Sequence, residues 1–261
     1  MPALNPKPIA LHHEAQGSGA PLLLIHGLGS SGLDWEYQVP VFAKSFRVIT
    51  VDLRGHGRSG KPPGPYSIRE MTADVLALLD GLGIASAHVV GLSMGGAVAF
   101  QLAADAPQRI RSLTIVNSGP SLVLKTFKDK LAIGLRLVIL KLFGLPKLAK
   151  VISLKLFPDP DQQQLRDTFV ERISRNDRAA YTASLKALVG WSVREQLATM
   201  RCPTLIITAD QDYTPVSLKE EYLALMPNAR LAVVPNSHHA LPLERPEAFN
   251  RVLAEFLALQ G

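Results

Sequence analysis

Residues 87–101 read A-H-V-V-G-L-S-M-G-G-A-V-A-F-Q. The apolar start of this segment predicts a strand and its small, apolar end a helix, so a very tight turn at residues 91–95 joins the two. Glycines at 91 and 95 favour this turn, because they let the strand and helix backbones approach closely. A hydroxyl on such a turn points away from the sheet, which makes Ser93 a candidate nucleophile. On this pattern alone, an ordinary glycine-rich connection is an equal alternative.

The composition is that of a globular chain with a substantial core. It has 261 residues, of which 47% are hydrophobic and 19% are charged, enough for one large α/β domain or two small ones. The single cysteine, Cys202, cannot form an internal disulfide, and its place before an apolar run indicates a buried structural thiol. The first ten residues lack the basic start and apolar segment of a secretory signal, so we expect a cytoplasmic protein.

The positive charge of the chain is concentrated in one segment. The formal net charge is +6, yet residues 121–156 contain eight basic residues against one acid, a net of +7 that leaves −1 for the rest. No zinc-ligand spacing or aromatic RNA-binding pattern accompanies this segment, so we predict no metal and no nucleic-acid partner. The glycines at 91, 95 and 96 do not follow the dinucleotide-binding pattern, and we predict no cofactor.

Apolar runs and amphipathic stretches alternate through most of the chain. Continuous apolar runs are typical of strands buried on both faces by helices, so the pattern predicts a mostly parallel sheet flanked by helices. Ser67 and Glu70 form a capping box for a helix from about Ile68 to Leu82. The predicted strands are 8–15, 22–25, 46–51, 112–116, 204–208, 230–234 and the strand before Ser93, and the later helices are 218–225 and 246–259.

The strand signal disappears between about residues 121 and 196, where helical patterns are broken by Gly134, Gly144 and Pro146. We therefore predict a core of residues 1–120 and 197–261 and a helical cap insertion, 121–196, above Ser93. The first half of the insertion alternates apolar and basic residues. A cap helix with solvated lysines is favoured over a lid that contacts an anionic membrane surface. Arg136 and Lys141 interrupt the run well short of a membrane span.

A nucleophilic serine needs a base and a group that orients the base. The carboxyl ends of two later strands supply both types of residue, because parallel strands end at the same edge of the sheet. Residues 209–215 read A-D-Q-D-Y-T-P, and residues 235–240 read P-N-S-H-H-A. The order Ser, Asp, His is the one that this architecture uses. The candidates are Asp210, Asp212, His238 and His239.

Taken together, four motifs resemble the α/β-hydrolase family from His26 to the last helix. They are His26-Gly27, the segment 52–59 (D-L-R-G-H-G-R-S), the turn at Ser93, and the segment from His239 through Glu244-Arg245-Pro246 to Phe249-Asn250. The resemblance implies an α/β-hydrolase fold, with a mostly parallel sheet and an inserted helical cap.

The resemblance also selects among the candidates. Family members commonly carry the acid three residues after a strand-end glycine, the place that Ala209 holds, which implies Asp212. The histidine commonly lies five residues before a glutamate, which implies His239, and His238 stands where glycine is usual. The backbone N–H groups of Leu28 and Met94 are implied as the oxyanion hole. No cofactor is implied.

The expected activity is that of a serine esterase acting on a small-molecule carboxylic ester of small to medium acyl chain. The alternatives are a carbon–carbon bond hydrolase, a lactonase and a cofactor-free perhydrolase, and a non-catalytic ligand-binding receptor on the same scaffold. We expect structural roles for His26 and His56, and a packing role for Trp35.

Overall fold

The computed structural model describes residues 8–123 and 127–260, with the backbone only at residues 128 and 129. Within these residues, seven strands form one sheet in the order β1-β3-β2-β4-β5-β6-β7. β1 is antiparallel to β3, and all the other pairs are parallel. The strands are β1 His13–Gln16, β2 Ala20–Ile25, β3 Phe46–Val51, β4 Ala87–Leu92, β5 Ile110–Val116, β6 Thr204–Ala209 and β7 Ala229–Val234. The predicted fold class is confirmed.

Helices cover both faces of the sheet. They are α1 Val39–Phe42, α2 Ile68–Gly81, α3 Met94–Asp105, α4 Phe127–Leu156, α5 Gln163–Ser174, α6 Arg178–Leu188, α7 Val216–Leu223, α8 Leu241–Glu244 and α9 Pro246–Leu257. Because side chains alternate along a strand, Leu23 and Ile25 of β2 join one core cluster, with α2 and α3. Leu22 and Leu24 join the other, with α9.

The predicted strands and core helices agree with the structure to within a few residues, apart from β1, which is shorter than predicted. The short helices α1 and α8 were not predicted, since four residues are too few to show a helical period. Trp35 is fully buried and packs against Phe249, with ring centroids 6.2 Å apart, so its packing role is confirmed.

Three helices, α4 to α6, lie between β5 and β6 in the sequence. The predicted break at Gly134 is wrong, because Gly134 lies inside α4, and the helix cost of one glycine, about 1 kcal/mol, does not end the helix there. Gly144, with a φ of +75°, does interrupt the helical conformation. Among the described residues, no helix has the length and apolar character that crossing a bilayer requires.

Polar contacts tie these helices to the core. The Gln162 side-chain amide donates to Glu244 at 3.0 Å, and the Asn176 amide donates to the Gly29 carbonyl at 2.5 Å. Leu140 and Leu148 of α4 pack with Tyr181 of α6 in a separate apolar cluster. The three helices therefore have a small core of their own and rest on the loop that follows β2.

Two buried histidines support the loops at the carboxyl edge of the sheet. Nε2 of His26 accepts from the Leu53 N–H at 3.0 Å, so Nδ1 carries the proton and donates to the Gly27 carbonyl at 2.7 Å. His56 Nδ1 lies 2.9 Å from the Arg54 carbonyl. Burial, with the neighbouring His26, lowers the pKa of His56 to about 3, and burial also lowers the pKa of His26. The expected structural roles are confirmed.

We predict that mild acid destabilises the fold through His56. Its folded pKa lies below the unfolded value, so the unfolded state binds more protons between about pH 6.5 and 3 and stability falls as pH drops through this window. The loss from this one group is about 1 to 2 kcal/mol between pH 6.5 and 5. Urea unfolding at several pH values measures it.

The His56→Gln variant should show a shallower dependence of unfolding free energy on pH, whatever its stability at neutral pH. His13→Gln on β1 is the matched control, because it removes a half-exposed histidine. An unchanged slope in His56→Gln would contradict the prediction.

Candidate active site

Ser93 lies on the turn between β4 and α3 in a left-handed conformation, with φ +53° and ψ −112°. This conformation is costly for a residue other than glycine, and the surrounding backbone enforces it. A Cβ on Gly95 would lie 2.2 Å from the Ile25 carbonyl oxygen, and one on Gly91 would lie 2.3 Å from the Gly95 carbonyl oxygen. Glycine at both positions lets α3 begin directly against the sheet, as the sequence predicts.

The structure brings Ser93, His239 and Asp212 into one hydrogen-bonded row. Nε2 of His239 lies 2.9 Å from Oγ of Ser93, and Nδ1 lies 2.6 Å from Oδ1 of Asp212. The three residues follow three parallel strands, β4, β6 and β7, whose carboxyl ends meet at one edge of the sheet. With an ionised carboxylate at Nδ1, His239 carries its proton there and Nε2 is free to accept from the serine hydroxyl.

The second oxygen of Asp212 also has partners. Oδ2 accepts from the Lys219 ammonium at 2.6 Å and from the Thr214 hydroxyl at 2.9 Å. The Asp212 and Lys219 side chains are each only 1% exposed. Burial alone would raise the pKa of Asp212, but the hydrogen bond from His239 and the charge of Lys219 outweigh it and hold the pKa well below its ordinary value. The carboxylate therefore stays ionised at neutral pH.

The two alternative candidates point elsewhere. Asp210 accepts from the backbone N–H groups of Asn236 and Ser237, at 3.0 and 3.1 Å. Nδ1 of His238 lies 2.8 Å from the buried carboxylate of Glu244. Both residues thus shape the loop after β7, and the row with Ser93 contains the residues that the resemblance implied.

Leu28 and Met94 lie on the two segments next to the serine. Met94 is the first residue of α3, so its N–H has no partner within the helix. A Cβ on Gly27 would lie 3.5 Å from the Ser93 Cβ, which brings the loop carrying Leu28 beside the serine. Both residues line the same cavity as Ser93.

Asn117 is a site residue that sequence reasoning missed. It follows β5 with a φ of +44°, and its amide nitrogen donates to the carbonyls of His238 and His239, at 3.2 and 2.9 Å. Its amide oxygen accepts from the Ala209 N–H at 2.8 Å. One buried side chain therefore fixes the loops that carry Asp212 and His239. An asparagine at the end of a predicted strand could have indicated this role, because asparagine tolerates the positive φ of a tight turn.

Lys219 and Tyr213 were also missed. Lys219 lies on α7, where a lysine normally indicates an exposed helix face, and nothing in the sequence marks it as buried. The Tyr213 ring stacks on the His239 ring, with centroids 4.3 Å apart. Tyr213 thus shields one face of the imidazole.

A cavity of about 330 Å³ opens beside Ser93 and extends under α4 to α6. Most of its lining is apolar, from Ile133, Ile152, Phe169, Leu185 and Trp191 among others. Arg136 of α4 also lines it, and its guanidinium donates to the Tyr181 hydroxyl. Among the described residues, no group of three or more His, Cys, Asp or Glu side chains is placed to hold a metal ion. The site thus combines the Ser93 hydroxyl, the His239 imidazole and an apolar cavity that the Arg136 guanidinium also lines.

A parallel sheet that carries a serine on a strained turn at its carboxyl edge is the architecture of the α/β hydrolases. A family model described as the alpha/beta hydrolase fold matches residues 20–246. The chain belongs to this family, and it is a member of a hydrolase superfamily.

Three similar proteins illustrate the range of the family. The chain is 32% identical over 271 residues to a putative carbamate hydrolase RutD of Azorhizobium caulinodans, covering 98% of each chain. The enol-lactonase of Burkholderia xenovorans LB400 superposes with a TM-score of 0.87 at 27% identity, covering 95% of this chain and 96% of that one. A thermophilic esterase of Thermogutta terrifontis gives 0.87 at 25% identity, covering 96% and 93%.

We predict that Ser93→Ala and His239→Ala each reduce kcat by about three orders of magnitude or more, because the members of such a row act as a unit. His238→Ala is the matched control for the histidine and should retain most of the activity. Rates with a chromogenic ester check both. A dead His238→Ala beside an active His239→Ala would reverse the assignment.

The acids give a second comparison. Asp212→Asn removes the acceptor that fixes the imidazole tautomer and should lower kcat by about 10⁴-fold. Asp210→Asn changes only acceptors of backbone N–H groups and should cost far less. Equal losses in the two variants would show that the hydrogen-bonded row does not define the acid.

Lys219→Met tests the role of the buried ammonium. Loss of this charge should raise the pKa of Asp212, so the lower end of the active pH range should move upward, and kcat should fall while KM stays nearly constant. We also expect a stability loss of about 3 to 5 kcal/mol, because a buried carboxylate loses its charged partner. The pH–rate profile is the decisive measurement, and Lys219→Arg should restore part of the wild-type profile. An unchanged profile in a folded Lys219→Met variant would contradict the role.

Proposed function

We propose that the chain is a serine hydrolase that cleaves carboxylic esters of small to medium acyl chain through an acyl-enzyme on Ser93. The observation that carries this proposal is the 2.9 Å contact between His239 Nε2 and Ser93 Oγ, at the mouth of an apolar cavity. A serine hydroxyl is a weak nucleophile unless an adjacent base accepts its proton.

The proposed reaction has two halves. His239 accepts the Ser93 proton as Oγ attacks the ester carbonyl, and the resulting imidazolium then gives that proton to the leaving alcohol. A water molecule next loses a proton to His239 and attacks the acyl-enzyme, and collapse of the second tetrahedral intermediate releases the acid and restores the serine. Asp212 holds the imidazole in its tautomer and stabilises the imidazolium.

Two backbone donors would stabilise the negative charge that develops on the carbonyl oxygen. The N–H groups of Leu28 and Met94 are fixed by the glycine loop and by the start of α3, so they need no reorganisation as charge develops. A lost donor of this kind costs about 3 to 4 kcal/mol of barrier. The N-terminus of α3 adds a favourable dipole.

Size and lining of the cavity support an acyl chain of modest length. About 330 Å³ is at the lower end of the range for small-molecule sites, about 300 to 1,000 Å³. Apolar side chains from α4 to α6 form much of the wall, and in the proposal these helices, within residues 121–196, act as the cap. An apolar wall favours an aliphatic or aromatic acyl group over a strongly polar one.

Arg136 supports a second candidate, a lactone or an ester that carries a carboxylate. The Arg136 guanidinium lies at the cavity and contacts the Tyr181 hydroxyl, and no carboxylate of the described residues is within ion-pair distance of it. A carboxylate in the cavity would be a strong bidentate partner. Lactones share the acyl-transfer chemistry, so the same row of residues serves both candidates.

Hydrolysis rates over a matched panel test the proposal. The panel contains nitrophenyl acetate, butyrate, octanoate and laurate, an unsubstituted lactone, a carboxylated lactone, a carbamate and a vinylogous diketone. We expect the highest kcat/KM for butyrate or octanoate. A preference for the carboxylated lactone that Arg136→Gln abolishes would favour the second candidate. Turnover of the diketone alone would indicate carbon–carbon bond hydrolysis.

Labelling separates an enzyme from a binding scaffold. A fluorophosphonate should modify wild-type protein at Ser93, and Ser93→Ala should remain unlabelled. Absence of labelling together with inactivity on the whole panel would refute the proposal and favour a ligand-binding receptor.

A further inference from the structure

The outer face of α4 carries a row of large apolar side chains in solvent. Their positions follow a helical spacing of three and four, so they form one stripe along four turns. The exposed fractions are 79% for Phe127, 58% for Leu131, 56% for Leu135, 50% for Val138 and 66% for Leu142. We call these five residues the α4 stripe. Isolated exposed apolar residues are ordinary, but an aligned row of this size is typical of an interaction surface.

The α4 stripe does not serve the protein core. Leu140, on the opposite side of the helix, is buried against α6, and Ile133 and Arg136 line the cavity above Ser93. One side of α4 therefore completes the site while the other faces away from the molecule. The α4 stripe is therefore exposed without any rearrangement of α4.

Positive charge accompanies the α4 stripe. Residues 127–156 contain seven basic residues and one acid, so this helix holds all of the formal net charge of +6. Lys130 and Lys141 lie one residue before Leu131 and Leu142, and both are exposed. Within the described residues, neither has a carboxylate within 4 Å. The surface is thus both apolar and cationic.

We propose that the α4 stripe docks on an anionic lipid surface, with its apolar side chains in the headgroup boundary and the lysines on the lipid charges. An interfacial helix needs this combination of an apolar face and flanking lysines. The alternative occupant is a second copy of the chain, but a symmetric contact would bring Lys130 and Lys141 of one copy close to the same lysines of the other. Anionic lipid complements both features of the surface.

This proposal departs from the expectation that the lysines of the cap are merely solvated. The alternation of apolar and basic residues in the sequence does not show which face of the helix is buried. In the structure, the α4 stripe is exposed. The proposal does not depend on the proposed function, because binding is measured without substrate.

Co-sedimentation with vesicles tests the proposal on the full chain. The vesicles are phosphatidylcholine alone or a mixture with phosphatidylglycerol, at low and at high salt. We expect binding to the mixed vesicles at low salt, weaker binding at high salt because the charges are screened, and little binding to phosphatidylcholine.

Two sets of variants separate charge from insertion. Lys130→Gln with Lys141→Gln should lower the partition coefficient by about 25-fold, since each lysine near the surface contributes about fivefold. Leu131→Ser with Leu135→Ser should lower it by about 100-fold. The matched controls lie away from α4 and should bind like wild type. They are Lys44→Gln with Arg251→Gln for charge, and Val41→Ser with Leu259→Ser for apolar exposure.

A change to the outside of an exposed helix face should leave the fold intact, and near-ultraviolet circular dichroism checks this for each variant. If the variant with two serines fails to fold, the Lys130→Gln, Lys141→Gln variant still tests the same surface. Absence of binding to mixed vesicles, or equal losses in the control variants, would overturn the proposal. Equal binding to both vesicle types at low and high salt would also overturn it. A further contrary result would be self-association of the protein without lipid that the Leu131→Ser, Leu135→Ser variant loses and the other variants keep.

Discussion

The close approach of α3 to the sheet determines where the serine lies and how its turn is built. The helix begins so near β2 that Gly95 has no room for a Cβ beside the Ile25 carbonyl. This approach forces Ser93 into its left-handed conformation and turns its hydroxyl toward the carboxyl edge of the sheet. The loops that follow β2, β5, β6 and β7 then line the same cavity. Parallel pairing of the strands thus brings Ser93 close to His239, which lies 146 positions later in the sequence.

Buried polar contacts then fix those loops against each other. Asn117 links the ends of β5, β6 and β7 through backbone partners, so the loops keep one spacing. Lys219 neutralises the carboxylate that orients His239, which permits a buried charge beside an imidazole. A buried ion pair contributes little net stability, but removal of one partner leaves the other uncompensated. The Asp212–Lys219 pair therefore holds the geometry of the site, and we expect substitution of either residue to be poorly tolerated.

Patterns of burial explain how much of the molecule could be predicted from the sequence. Continuous apolar runs revealed the strands, because both faces of this sheet are covered, and glycine spacing revealed the turn at Ser93. The choice of Asp212 over Asp210 came from the resemblance, since both follow β6 by a few residues and their hydrogen-bond partners are set by tertiary contacts. Lys219 escaped notice because no local signal distinguishes a buried lysine from an exposed one. The outward face of α4 escaped notice because apolar residues occupy both of its sides.

In the proposed function, separate parts of the chain set the chemistry and the choice of substrate. The sheet edge supplies the hydroxyl, the base and the backbone donors, and these depend on contacts within the core. The wall of the cavity comes largely from α4 to α6, which have a small core of their own and also pack on the main core, where Ala180 of α6 joins the cluster that contains α2 and α3. Residues such as Ile133 and Arg136 can change without moving Ser93. Relatives that share this fold carry names as different as carbamate hydrolase and enol-lactonase, so the fold alone does not fix the substrate. In the proposed function, the shape and charge beneath α4 select the acyl compound, and the row of Ser93, His239 and Asp212 acts on whichever compound binds there.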